Sequence, residues 1–196
     1  MVGTSGNLSI SIEKNPLQFL ITASGKDKGE LQEDDFILVD CRGVACNAPT
    51  VQKPSAETLL HSAIYKHTNA NAVFHVHTVN STLLSGLDKS SPYNLGSSPY
   101  NLGSSPYNLE FHGLEMLKGL GFKTHDVKIN IPVVENSQDM EYLSGILPSY
   151  INEEIPGLLL KGHGIYAWGN STEEAKRHVE VLEFLFEYRI KELSML

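Results

Sequence analysis

Basic residues are scarce in this chain. Fifteen lysines and arginines stand against 23 aspartates and glutamates, a formal net charge of −8. Nucleic-acid backbones are bound by basic surfaces, so this balance argues against a nucleic-acid partner. It leaves room for a small phosphorylated ligand, which needs only a local positive potential. Cysteine is scarce too. Cys41 and Cys46 do not form a CxxC, and no second pair exists to complete a zinc knuckle. A disulfide scaffold is not indicated, and both read as free thiols in a reducing compartment. No apolar run reaches the roughly 18 residues of a membrane span. The segment Met1 to Asn7 lacks the basic and apolar regions of a signal peptide. The expectation is a soluble, cytoplasmic protein that meets no membrane.

What is present fits one domain over residues 1–196, with 41% hydrophobic and 19% charged residues. Residues 8–13 alternate apolar and polar and predict a strand; Phe19–Thr22 and Phe36–Asp40 predict two more. Lys53-Pro54-Ser55-Ala56-Glu57 opens a helix, with Pro54 at its start, Ser55 as cap and Glu57 in the first turn. Further helices are expected over 78–87, 111–121 and 138–150, and strands over 127–134, 157–160 and 165–169. Ser171-Thr172-Glu173-Glu174 is a capping box opening a long amphipathic helix to Leu193, with Val179, Leu182, Leu185 and Phe186 on its buried stripe. Helices interspersed among strands predict a mixed α/β layered fold. Residues 90–109 repeat SSPYNLG, and Pro92, Pro99 and Pro106 forbid a continuous helix. Three such units are too short for a solenoid, so a surface loop lengthened by tandem duplication is expected.

Three histidines stand out. His75 and His77 lie in Ala-Val-Phe-His-Val-His-Thr, which reads as a buried strand. Residues i and i+2 of a strand share a face, roughly 7 Å apart, so the two imidazoles can converge on one metal ion. His163 follows the apolar run Leu158–Leu160 and is flanked by Gly162 and Gly164. Three histidines and an open position make the ligand set of a catalytic zinc site. His61, His67, His112, His125 and His178 read as structural or exposed.

These features occur together in a known order. Gly3 to Ser9 (GTSGNLS), Thr22 to Gly25 (TASG), Lys53 to Glu57 (KPSAE), His75 to Thr78 (HVHT) and His163-Gly164 are arranged as in the class II aldolase/adducin superfamily, which the chain resembles over essentially its whole length. Within it the chain looks most like the methylthioribulose-1-phosphate dehydratases of methionine salvage. That likeness rests on Phe74 to Thr78, on Gly113 to Gly121 (GLEMLKGLG), on Pro132 to Asn136 and on His163 to Gly169.

The resemblance implies a central, mostly antiparallel sheet flanked by helices. It implies one Zn2+ per subunit on His75, His77 and His163, and a homotetramer with sites between subunits. It implies dehydration of 5-methylthioribulose 1-phosphate to 2,3-diketo-5-methylthiopentyl 1-phosphate. Two carboxylates compete as acid/base. Glu115 lies on the short helix where the dehydratases carry theirs, and Glu57 lies where the sugar-phosphate aldolases do. Glu115 is favoured as the catalytic group, with Glu57 near substrate or metal. Asn7, Ser24, Gly25 and Ser55 are implied in a phosphate pocket, at turns and a helix start where backbone N–H groups point outward. Two departures stand out. Members of the superfamily usually carry a helix before Gly3, which this chain is expected to lack, and the repeat lengthens the link between His77 and Glu115. The competing readings are a class II aldolase or epimerase acting on another phosphoketose, and a non-catalytic, adducin-like binding module.

Overall fold

The computed structural model describes residues 5–46, 51–87 and 107–195. Its frame is an eight-stranded sheet made of β1 (Asn7–Lys14), β2 (Leu17–Thr22), β3 (Phe36–Asp40), β4 (Ala72–Val76), β5 (Tyr107–His112), β6 (Lys128–Val134), β7 (Gly157–Leu160) and β8 (Gly164–Gly169). The strand order is β3-β2-β1-β4-β8-β7-β6-β5. Every pairing is antiparallel except that of β6 with β7. This is the mixed α/β, mostly antiparallel layered fold expected.

The helices are α1 (Thr58–His67), α2 (Val79–Gly86), α3 (Met140–Ile146) and α4 (Thr172–Ser194). Successive residues of a strand point to opposite faces, and the central strands bury both. Leu159, Ile165 and Ala167 pack on one side with Leu182, Leu185 and Phe186 of α4 and Leu84 of α2. Leu158, Leu160, Tyr166 and Trp168 pack on the other with Leu60 and Ile64 of α1 and Leu143 of α3. This double burial explains why β7 and β8 read as continuous apolar runs.

The structure refines several expected boundaries. α1 begins at Thr58 rather than near Ser55, because residues before it are drawn to β2: Ala23 bridges Pro54, and the Ser55 N–H donates to Thr22 O at 3.2 Å. Residues 111–121 are not one helix. Phe111 and His112 finish β5, and a 3-10 helix covers only Glu115–Leu120. Most of the SSPYNLG array lies outside the described residues. Its last three residues are not loop, however: Tyr107 and Leu109 are buried side chains at the start of β5. Cys41 and Cys46 are free. No helix among the described residues is long and apolar enough to cross a membrane.

Candidate metal centre

Antiparallel pairing collects the starts of β1 and β8 and the ends of β2, β4 and β7 at one end of the sheet. The candidate residues gather there. His75 is the penultimate residue of β4, paired with Asn7 of β1 on one side and Tyr166 of β8 on the other. His77 lies just beyond the strand, so it reaches the site from a departing chain rather than as a strand neighbour of His75. Thr78 follows as the cap of α2, its side chain accepting from Ser81 N. His163 sits in the turn between β7 and β8, with Gly162 at φ 63° in the left-handed region that suits glycine. α2 pins this turn. Thr82 Oγ1 donates to His163 O at 3.0 Å, and Gly162 N donates to Ser85 Oγ at 3.0 Å.

The three rings converge. Their candidate ligand nitrogens all lie within 4.8 Å of one another, and the Nε2 atoms of His75 and His77 are 2.8 Å apart. His75 is fully buried, and its Nδ1 donates to Ile165 O at 2.9 Å. That bond fixes the tautomer and leaves the Nε2 lone pair facing the cluster, the usual arrangement behind a metal-bound histidine. Burial, reinforced by the neighbouring His163 and His77, holds the His75 pKa well below the ordinary histidine value. Burial also lowers His77, with His163 adding to it. Neutral imidazoles are the form that ligates. Nitrogen donors, their spacing and the neutral form favoured at His75 and His77 therefore fit a three-histidine metal site. Tyr166 supports it from below, its ring stacked on His75 at 4.1 Å and 17°. Burial, with the Glu57 carboxylate nearby, pushes its hydroxyl pKa well up.

Glu57 enters the cluster directly. Its Oε2 lies 3.4 Å from His75 Nε2 and its Oε1 3.5 Å from His163 Nε2. Asn7 Nδ2 donates to Glu57 Oε2 at 2.6 Å. Glu115 is not brought there. β5 runs from Tyr107 at the histidine end to His112 at the other, and Glu115 follows that far end, about 20 Å away by strand length. It is exposed, bonded to Lys118 at 2.7 Å and His125 at 3.0 Å. The hydrogen bond from Lys118 lowers its pKa.

The proposed phosphate residues divide. Ser24, Gly25 and Ser55 sit at the same end of the sheet, but the Ser24 N–H is spent on Lys53 O at 2.8 Å and the Ser55 N–H on Thr22 O. Those two backbone donors do not point outward as expected, because they zip β2 to the approach of α1. Asn7 is buried, and both ends of its amide are engaged, with Glu57 and with His61. His61, structural or exposed by its sequence context, is buried and joined to the site through Asn7. The signal for it lies in the spacing of Glu57, His61 and Tyr65, four residues apart along one helical face.

This fold is that of a known group: the chain belongs to the class II aldolase and adducin N-terminal domain family, whose model matches residues 1–190. Within the family it is similar to the methylthioribulose-1-phosphate dehydratase of Persephonella marina, 43% identical over 185 residues, covering 94% of this chain and 79% of the relative. The enzyme of that name from Bacillus subtilis is 40% identical, covering 96% and 83%. With such relatives the chain is an enzyme of the lyase class. Among solved structures, YgbL from Klebsiella pneumoniae superposes with a TM-score of 0.68 at 26% identity, covering 97% and 80%. L-fuculose-1-phosphate aldolase from Thermus thermophilus shares the fold, with a TM-score of 0.62 at 22% identity, covering 98% and 87%.

Proposed function

We propose that the chain is a zinc-dependent methylthioribulose-1-phosphate dehydratase of methionine salvage, cytoplasmic and homotetrameric. The observation that carries the reading is the convergence of His75, His77 and His163 in a chain 43% identical to an enzyme of that name. A zinc ion on these three histidines supplies a Lewis acid for the C2 carbonyl of the ketose, which acidifies the C3 proton.

The remaining work is proton transfer by carboxylates. A carboxylate takes the C3 proton. The C4–O bond breaks with its electron pair on oxygen, which is protonated and leaves as water. The enol at C3 then loses its hydroxyl proton as C4 gains one, giving the 2,3-diketone. Glu115 is the acid/base in this reading. Because it stands at the far end of the sheet in its own chain, this reading has it act in the site of a neighbouring copy, with sites between subunits. Glu57, inside the cluster, orients the substrate or the metal. The Ser24 and Ser55 hydroxyls and Gly25 receive the phosphate, while Asn7 serves Glu57.

One observation favours a second reading, a class II sugar-phosphate aldolase. Glu57 approaches both His75 and His163, as a carboxylate serving carbon–carbon cleavage at this metal would. A non-catalytic binding module has no need of three converging histidines. Incubating the zinc-loaded protein with methylthioribulose 1-phosphate, fuculose 1-phosphate and ribulose phosphates separates these readings. Diketone from the first substrate alone supports the dehydratase. Two-carbon or three-carbon fragments from the others would support the aldolase.

A further inference from the structure

We infer that His61 is a positioning residue: through Asn7 it sets the orientation in which Glu57 presents its carboxylate to the histidine cluster. The inference rests on Glu57 acting at the site. A chain of hydrogen bonds runs from the core to the cluster between β1 and α1. Tyr65 OH meets Ser9 Oγ at 2.7 Å, Ser9 Oγ meets His61 Nδ1 at 2.6 Å, His61 Nε2 bonds Asn7 Oδ1, and Asn7 Nδ2 donates to Glu57 Oε2 at 2.6 Å.

The direction of every link follows from the last one. An ionised carboxylate only accepts, so the Asn7 amide must turn its NH2 to Glu57 and its oxygen to His61. An amide oxygen only accepts, so His61 must carry its proton on Nε2. Its Nδ1 is then a lone pair that accepts the Ser9 hydroxyl proton. The Ser9 oxygen in turn accepts from Tyr65. No link can reverse without leaving two donors or two acceptors face to face. His61 and Ser9 have no exposed surface. Water cannot replace a lost bond there, and linked bonds of one sense reinforce one another in such surroundings. Burial pushes the His61 pKa down to about 3, so the ring stays neutral and keeps its single proton where the relay needs it. With Oε2 held by Asn7, Oε1 is the oxygen left facing His163.

Three variants and one spectrum test this. His61→Leu removes both ring nitrogens, while His61→Gln restores a donor near the Nε2 position. For His61→Leu we expect kcat/KM to fall about 10- to 100-fold, the usual cost of losing a group behind a functional side chain. The loss should lie mainly in KM, as for Glu57→Gln, and the zinc content should be unchanged, since no ligand is touched. His61→Gln should recover most of the lost kcat/KM. In the metal-free wild type, 15N spectra of the imidazoles should show His61 locked with its proton on Nε2 from pH 5 to 9, and Asn7→Ala should shift that resonance. Glu57→Gln, run in parallel, keeps the two questions apart. If Glu57→Gln loses kcat/KM while His61→Leu matches wild type in kcat/KM, the positioning role falls alone. If Glu57→Gln is fully active, the role of Glu57 falls instead. Should His61→Leu not fold, an Nδ1-protonated or exchanging His61 in the wild-type spectrum would still overturn the inference, and an Nε2-locked one that responds to Asn7→Ala would uphold it.

Discussion

Gly164 lies against the carbonyl of Val76, so close that a Cβ at position 164 would overlap the Val76 oxygen and press on the His77 and His75 rings at 3.1 and 3.2 Å. β8 begins and β4 ends at this point, and the absence of a side chain on one lets the histidines of the other close on His163. Gly164→Ala is therefore expected to destabilise the fold by about 1–3 kcal/mol, the cost of overpacking a close-packed site. It should also weaken metal uptake. Thermal unfolding and zinc content measured together check both; a variant matching wild type in both would show that the strands part freely.

Metal analysis of the wild type should give about one zinc per chain, as a single three-histidine site requires. His77→Ala should lose most of it while the exposed position of His77 leaves the fold intact. Retention of full zinc by the folded variant would remove His77 from the ligand set.

The two carboxylates should separate by kinetics and by mixing. Glu115→Gln keeps shape but cannot exchange a proton, so turnover should drop by about 100-fold or more with zinc retained. Glu57→Gln should act more on KM or metal binding. Since Glu115 stands far from the histidines of its own chain, hybrids of Glu115→Gln and His77→Ala subunits should regain part of the activity that either lacks alone. No recovery in verified hybrids would mean that Glu115 does not serve a neighbour.

Acid should destabilise the metal-free protein, and His61 should account for part of the loss. Its folded pKa is lowered from 6.5 to about 3, so below about pH 6.5 the unfolded chain binds a proton that the folded chain refuses. Stability is then fully present above that value and declines as pH falls through the window, by up to about 1.4 kcal/mol per pH unit. Melting temperatures from pH 7 to 4 should fall less steeply in His61→Gln than in wild type.

Deleting residues 90–103 removes two SSPYNLG units and keeps one. Loop length alters closure entropy by only about 0.6 kcal/mol per doubling, so the melting temperature should barely change. Tyr107→Ala should cost several times more, because Tyr107 is buried at the start of β5 and its hydroxyl donates to Ser85 O at 3.0 Å. Equal effects from the two changes would place the repeat among the packed elements.

Alternation and capping made most of the elements legible. β3, α2, β7 and β8 fall where the apolar pattern and turn residues place them, since each is decided by its own few residues. The histidine cluster was legible for the same reason: a doubled His at a strand end and a glycine-flanked His are local signals. What escaped was set by partners distant in sequence. Nothing near Ser55 announces that its N–H is taken by Thr22, which delays α1 to Thr58. The SSPYNL of the third repeat copies the others, yet pairing with Val133 draws its Tyr107 into a strand. Asn7 and His61 suggested a phosphate contact and a structural ring. Only the packing of β1 under α1 makes them consecutive links.

The order in which the site's parts occur along the chain bears on how the ion is acquired. Asn7, Glu57, His75 and His77 all precede the midpoint of the sequence, whereas His163 and Tyr166 come near its end. A growing polypeptide on the ribosome thus carries two imidazoles and a carboxylate, a loose and unselective chelate, long before the third imidazole emerges. An ion bound there would meet all three imidazoles only in chains synthesised past His163, and a product truncated before that residue would offer it two.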